Sequence, residues 1–345
     1  MGKRGFFIAI AALVMSVIIW GNPLDSLMKA LTPPAPSAVT ALIEESSQPR
    51  LTLTVEADRL MSHVEAIALP RFTTAEKAVT RRYITSALSS YGLVATEQPY
   101  GSTDQGGINI IAEVPGQNAN AGVVILGAHY DTRPNSPGAD DNGSAIATLL
   151  EAARLLSAQP ITARPAATLR LVFFDQEEQQ ADGSGLLGSS AFTEVASNLT
   201  GVTSAVILDM VGYACHTEGC QTYPLRLPVQ DLPETGEFLA VLGLKAHPEP
   251  IDAFVLSARS SWPLVLSLPI PKPTLNLFPD LLRSDHAPFW EKNVPTVFVT
   301  DTANFRNPHY HTEQDTPDTL DPQFLQGSAQ HIVNAIAQLL SQVGI

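Results

Sequence analysis

Three imidazoles and several carboxylates lie in five short motifs of this chain, and together they have the donor set to hold metal ions and to move protons. The motifs are Gly127-Ala128-His129-Tyr130-Asp131, Gly138-Ala139-Asp140-Asp141-Asn142-Gly143, Phe174-Asp175-Gln176-Glu177-Glu178, Leu208-Asp209-Met210 and Pro308-His309-Tyr310-His311. Each follows an apolar run with the composition of a buried strand, or lies on a loop beyond one. In an open α/β sheet the loops at the carboxyl ends of the strands converge on one crevice, so residues far apart in sequence can meet there. Gathering so many carboxylates without a counter-charge is prohibitive, and a pair of metal ions is a ready remedy.

The elements that must position these motifs alternate in type. Helical spacing covers Val55 to Ala68 and Thr74 to Tyr91, and strands are predicted for Ile108 to Val114 and Val123 to Gly127. Asn142 or Ser144 is placed to cap a helix over Ala145 to Ser157. Then follow a strand from Thr168 to Phe174, a helix from Leu186 to Ala196, strands at Ser204 to Leu208 and Thr296 to Thr300, and a closing amphipathic helix from Phe324 to Val343. This alternation predicts an α/β fold, a mostly parallel sheet flanked by helices in a single catalytic domain. The Pro-rich stretch Tyr223 to Pro279 shows no clear period and is expected to form a wall or lid of the active site.

Composition fits one large core, with 45% hydrophobic and 16% charged residues over 345 positions. The net charge of -14 argues against nucleic acid as a partner, because phosphate binding needs a basic face. After Lys3 and Arg4, no charge occurs from Gly5 through Leu24, a run of 20 residues in all. At ~1.5 Å per residue such a run spans a bilayer core of ~30 Å. Trp20, Gly21, Asn22 and Pro23 make a poor cleavage site, so an uncleaved membrane anchor is favoured over a cleaved signal peptide. Residues 1–24 are thus expected to be a transmembrane anchor, 25–50 a Pro-rich tether with at most a short helix over Ala38 to Glu45, and 51–345 the catalytic domain. The positive start predicts a cytoplasmic amino terminus and a body outside the cytoplasm, periplasmic or extracellular. Cys215 and Cys220, the only cysteines, are expected to be disulfide-bonded in such an oxidising compartment; a metal site including His216 lacks ligands.

The ordered series His-x-Asp, Gly-x-Asp-Asp-Asn-Gly, Asp-x-Glu-Glu, Asp-Met and Tyr-His-Thr resembles the two-zinc aminopeptidase family, from about Leu69-Pro70-Arg71 to the last helix. The motifs around Ser284-Asp285-His286 and Asp315-Thr316-Pro317-Asp318 belong to the same resemblance. It implies a zinc-exopeptidase-like domain with two Zn2+ ions. His129 and Asp209 would bind one zinc, Glu178 and His311 the other, and Asp141 would bridge them. Asp131 would hold His129 through its other ring nitrogen, Glu177 would act as general base, and the Tyr310 hydroxyl would support the oxyanion. The implied reaction removes the first residue of peptides with a free amino terminus. The family also contains glutaminyl cyclases, which work with one zinc, and receptor ectodomains that have lost the metals. All five implied ligands are present here, which favours hydrolysis.

The residues leave two assignments open. Asp140 flanks the same turn as Asp141 and could bridge in its place, and His309 competes with His311 because a His-x-His pair in extended chain faces one side. His286 is expected to order its loop, and Ser284-Asp285-His286 lacks the Gly-x-Ser-x-Gly elbow of a serine hydrolase. His63, His247 and His331 have no acidic constellation nearby in sequence and are expected to be solvated or satisfied locally.

Overall fold

A computed structural model describes residues 53–102, 106–223, 232–257 and 263–342. The expected anchor over 1–24 and tether over 25–50 therefore lie outside the described residues. Among the described residues, no helix is long and apolar enough to cross a membrane.

The strands are β1 (Ala95–Tyr100), β2 (Gly107–Val114), β3 (Val123–His129), β4 (Thr168–Phe174), β5 (Val202–Leu208), β6 (Phe238–Leu244), β7 (Leu264–Ile270) and β8 (Thr296–Thr300). They form one sheet in the order β1-β2-β4-β3-β5-β8-β6-β7. Its centre, β4-β3-β5-β8, is parallel throughout, and β6 pairs parallel with β7. Antiparallel pairing occurs between β1 and β2, β2 and β4, and β6 and β8. The chain runs from β3 to β4 on one side and from β4 to β5 on the other side of β3, which opens a crevice beyond the carboxyl ends of these strands.

Side-chain alternation along the strands builds a separate core on each face. Val124 and Leu126 of β3, Leu169, Leu171 and Phe173 of β4, and Val206 and Leu208 of β5 join one core. That core also holds buried side chains of α1 (Ala57–Ile67), α3 (Ala145–Ser157) and the last helix, α8 (Pro322–Ser341). Ile125, Val172, Phe174, Ala205 and Ile207 face the other way and meet Phe192 of α4 (Leu187–Glu194) and Phe289 of α7 (His286–Glu291). The rings of Phe174, Phe192 and Phe289 pack at centroid separations of 5.8 to 6.1 Å, and burying each stabilises the fold by ~1.5–3 kcal/mol. Helix α2 (Thr74–Ser90) starts with a capping box between Thr73 and Glu76. Asp321 caps α8 with Pro322 at its first position, which extends that helix upstream of Phe324.

Several expectations need correction. Tyr223 to Pro279 is no mere wall: its described part contributes β6, α6 (Glu249–Ser257) and β7, which widen the sheet. Strand β6 is buried at every position, while β7 lies at the sheet edge and carries Pro269, whose missing N–H an edge strand tolerates. Strand β1, missed in the sequence, is the opposite edge and carries Pro99. The helix expected over Leu186 to Ala196 breaks at Val195 into α4 and the short α5 (Ala196–Leu199). Neither Asn142 nor Ser144 caps α3 with its side chain; both are spent on the chain around Asp209.

Candidate metal centre

Every motif of the series arrives at the carboxyl end of a central strand. His129 is the last residue of β3, Glu177 and Glu178 follow β4, Asp209 follows β5, and Tyr310 and His311 lie on the loop after β8. Asp141 comes from the kinked, wide helical turn Ala139–Ser144 between β3 and α3. Gly138, which opens that turn, has φ 60°, and a Cβ there would meet the Asp141 carbonyl and the Arg71 guanidinium. Gln176, Met210 and His311 also adopt positive φ (55°, 54° and 61°), each at or beside a candidate ligand. Non-glycine residues hold this conformation only when their surroundings impose it.

The side chains form two groups of three, His129 with Glu177 and Asp209, and Asp141 with Glu178 and His311. Asp141 stands between them. One of its oxygens is 3.3 Å from His129 Nε2, and the other is 3.2 Å from His311 Nε2. His129 Nε2 also lies 3.4 Å from Asp209 Oδ1, with Glu177 further back at 4.0 Å. His311 Nε2 is 3.2 Å from Glu178 Oε1, an atom that is buried and accepts no hydrogen bond. Each imidazole nitrogen thus faces more carboxylates than one N–H can serve, an arrangement that fits a cation.

The protonation equilibria point the same way. Burial raises Glu178 to about 7, with Asp141 adding to the shift, and burial also pushes Glu177 well above the usual carboxylate range, helped by Asp209 and Glu178. Burial would lower His311, but Asp141 and Glu178 draw it up to about 9; burial would likewise lower His129, which Glu177, Asp131, Asp141 and Asp209 raise well above the usual imidazole range. Asp141, which burial alone would raise, is held low by the two histidines. This is a cluster with surplus negative charge that protons neutralise in part; divalent cations neutralise it with larger charge.

Two further carboxylates act as clamps on the turns that carry the candidate ligands. Asp131 accepts the main-chain N–H groups of Glu177 and Glu178 at 3.0 and 3.2 Å, and Asp315 accepts those of Asp140 and Asp141 at 2.9 and 3.0 Å. Asp131 is also the partner of His129 Nδ1, through its carbonyl at 3.2 Å and its carboxylate at 3.6 Å. Asn142 bridges Leu208 and Met210, fixing the chain on both sides of Asp209. Arg71 is fully buried and donates to the carbonyls of Tyr130, Pro137 and Gly138, tying the His129 and Asp141 segments together. Asp315 and Arg71 carry no signal in the sequence beyond their place in the motifs of the resemblance.

Of the two pairs left open, Asp140 points away from the centre, accepting from Gly212 N–H and Asn307 Nδ2, and His309 sets its ring against Tyr213. Tyr310 stacks on His311 with centroids 3.6 Å apart, and its oxygen accepts from Arg283 Nη2 at 3.0 Å. His286 is buried, donates Nε2–H to the Leu281 carbonyl, stacks on Phe298, and is lowered to about 4 by burial. It orders its loop and makes no triad with Ser284, whose hydroxyl has no hydrogen-bond partner among the described residues. His63 is satisfied by Tyr83 and Tyr91, and His331 is buried against the Pro263 carbonyl. Cys215 and Cys220 form a disulfide.

Residues 109–229 and 270–336 match the model of peptidase family M28. The chain belongs to peptidase family M28. It is 33% identical over 250 residues to Uncharacterized protein YfbL of Escherichia coli (strain K12), covering 70% of this peptidase and 74% of that protein. It is 28% identical over 256 residues to Leucine aminopeptidase 1 of Blastomyces gilchristii, covering 71% of this peptidase but only 58% of that protein. Among solved structures, BSAP, a zinc aminopeptidase from Bacillus subtilis, superposes with a TM-score of 0.65 at 18% identity, covering 84% of this peptidase and 96% of that chain. The glutaminyl cyclase of Porphyromonas gingivalis gives 0.59 at 22% identity, covering 83% and 99%. Likeness at such identities concerns the fold.

The clamp formed by Asp315 can be tested on its own. Asp315→Asn keeps one acceptor but puts an amide N–H where the other turn N–H needs an oxygen. Zinc affinity of the peptidase, measured by competition with a chromophoric chelator, is expected to fall ~10- to 100-fold, the usual cost of losing support behind a ligand. An unchanged affinity would show that the turn holds its shape without Asp315.

Proposed function

We propose that this M28 peptidase is a two-zinc aminopeptidase that removes the first residue of peptides with a free amino terminus. The position of Asp141, with one oxygen 3.3 Å from His129 Nε2 and the other 3.2 Å from His311 Nε2, is the observation that supports it. His129 and Asp209 would hold one ion, Glu178 and His311 the other, with Asp141 shared. Zinc bound there supplies Lewis acidity toward the scissile carbonyl and lowers the pKa of water.

The chain's own residues carry the remaining steps. Glu177, set back from His129 and raised in pKa by burial, takes a proton from the attacking water and returns it to the leaving amine. Asp131 keeps Nδ1 of His129 engaged, so that Nε2 faces the centre. Tyr310, whose oxygen already accepts from Arg283, has its own hydrogen to donate to the developing oxyanion. The carboxylates around the cleft receive the substrate's amino group. The similarity to a glutaminyl cyclase is met by the same fold, and the complete second group of ligands favours hydrolysis.

Ligand and base are separable by substitution. Glu177→Gln is expected to keep both metals and the fold while kcat falls by ~10² to 10⁴, whereas Asp141→Asn is expected to lose metal. Elemental analysis of the two variants decides, and equal metal loss in both would reverse the assignment of Glu177.

Substrate class is tested by kcat/KM for an aminoacyl amide against its N-acetyl form, before and after chelation and zinc return. The acetylated substrate offers the acidic acceptors no amino group, so discrimination of ~10⁴ or more is expected. Comparable values for the two substrates would remove the aminopeptidase assignment, and full activity after chelation would remove the metal.

We also propose that residues 1–24 anchor the protein with its catalytic domain outside the cytoplasm, a reading supported by the uncharged run and by the Cys215–Cys220 disulfide. Full-length protein is then expected in the membrane fraction after a high-salt wash. Recovery of a soluble mature chain beginning between Gly21 and Ala41 would instead indicate a cleaved signal.

A further inference from the structure

The cations around the centre are nearly all committed. Arg71 is buried on main-chain carbonyls, Arg306 is buried against Gln221 and the carbonyls of Tyr213 and Phe238, and Lys77 is buried 2.7 Å from Asp175. Arg133 stands 3.9 Å from Glu178 and donates to the Gln179 carbonyl. Arg283 differs in three respects.

First, its side chain keeps 44% of its surface exposed. Second, its close partners are neutral: Nη2 donates to the Tyr310 hydroxyl at 3.0 Å, and Nη1 to Asn304 Oδ1 at 3.1 Å. Its one carboxylate partner among the described residues, Asp280, is 3.4 Å away and 47% exposed, a type of surface pair that contributes little. Among the described residues, the Nε–H and the second Nη2–H have no partner. A guanidinium edge with two such donors is the shape that receives a carboxylate with two parallel hydrogen bonds. Third, Arg283 sits two side-chain contacts from the ligands. It bonds Tyr310, Tyr310 stacks on His311, and His311 Nε2 is 3.2 Å from Asp141 and from Glu178.

We infer that Arg283, beside Tyr310 and Asn304, is a carboxylate-binding subsite at the rim of the cleft and selects substrates that carry a carboxylate next to the scissile bond. This rests on the aminopeptidase reading above. With the scissile carbonyl at the ligand groups, two carboxylates come within reach. One is the side chain of an acidic first residue. The other is the carboxy terminus of a dipeptide, one residue or ~3.6 Å of extended chain further on. The chemistry recognised is the same, and the source is decided by experiment.

The test compares Arg283→Met, which keeps the length and apolar stem of the side chain, and Arg283→Lys with the unsubstituted full chain, all zinc-loaded. Substrates are Leu-Leu against its carboxy-terminal amide, and Glu-Leu amide against Gln-Leu amide. The methionine variant is expected to lose ~10- to 100-fold in kcat/KM, mainly through KM, on the carboxylate member of one pair, as for a lost charge-assisted hydrogen bond. Losing the bond to Tyr310 lowers both members of a pair alike, so the subsite is read from the extra ~10-fold or greater loss of the carboxylate member relative to its neutral partner, and the lysine variant should recover part of that difference. The pair that responds names the source. Equal loss on all four substrates would overturn the subsite and leave Arg283 as a support for Tyr310, and no loss on any would overturn it as well.

Calorimetric titration with the four ligands, each with CH2–NH replacing the scissile amide, gives the same comparison without turnover. If the unsubstituted chain hydrolyses none of the four substrates, the aminopeptidase reading fails while the titration still decides the subsite. Carboxylate ligands that bind the chain and its methionine variant equally would overturn it there.

Discussion

Repulsion among buried carboxylates is the constraint that the rest of this structure answers. Asp141, Glu177, Glu178 and Asp209 meet at the ends of adjacent strands, with only His129 and His311 between them. At such separations, and with water largely excluded, like charges cost several kcal/mol per pair unless a counter-charge is supplied. Protons taken up by Glu178 and His311 supply part of it. Metal ions supply more, and the need for them is built into the donor set rather than added to it.

Holding the donors in place against that repulsion requires rigid backbone, and the means is the same on both sides of the cleft. A carboxylate outside the two candidate groups grips two successive main-chain N–H groups of a turn that carries them, Asp131 at Glu177-Glu178 and Asp315 at Asp140-Asp141. Arg71 and Asn142 then lace the turns to neighbouring strands. The positive φ values at Gln176, Met210 and His311 are the conformational cost of turning side chains inward at strand ends. They are sustained by the hydrophobic clusters packed on both faces of the sheet.

Membership in family M28 and the fold shared with zinc aminopeptidases give this centre its context. Further contacts lie at the rim of the centre. Tyr310 stacks on His311 and is held by a half-exposed arginine. The disulfide Cys215–Cys220 follows Asp209 closely, and the chain at Cys215 bridges to Gly236 just ahead of β6, so the rim and the widened sheet are joined there.

By itself the sequence determined the parallel centre of the sheet, helices α1 to α4 and α8, and the motifs that gather there. Central strands are buried on both faces and read as continuous apolar runs, and helices carry their 3.6-residue period, so both are local signals. Strands β1, β6 and β7 escaped: Pro99 and Pro269 break the pattern at the two edges, where tertiary position permits it, and β6, itself an apolar run, lies in a Pro-rich stretch without a clear period. Only the tertiary structure decided between Asp140 and Asp141 and between His309 and His311, since adjacent or alternate residues differ in direction and not in type. It alone turned Asn142 and Ser144 from helix caps into braces, gave Asp315 and Arg71 their tasks, and brought Arg283 to Tyr310. Those assignments depend on contacts across long sequence separations, and no spacing in the chain encodes which partner a buried hydrogen-bonding group will meet.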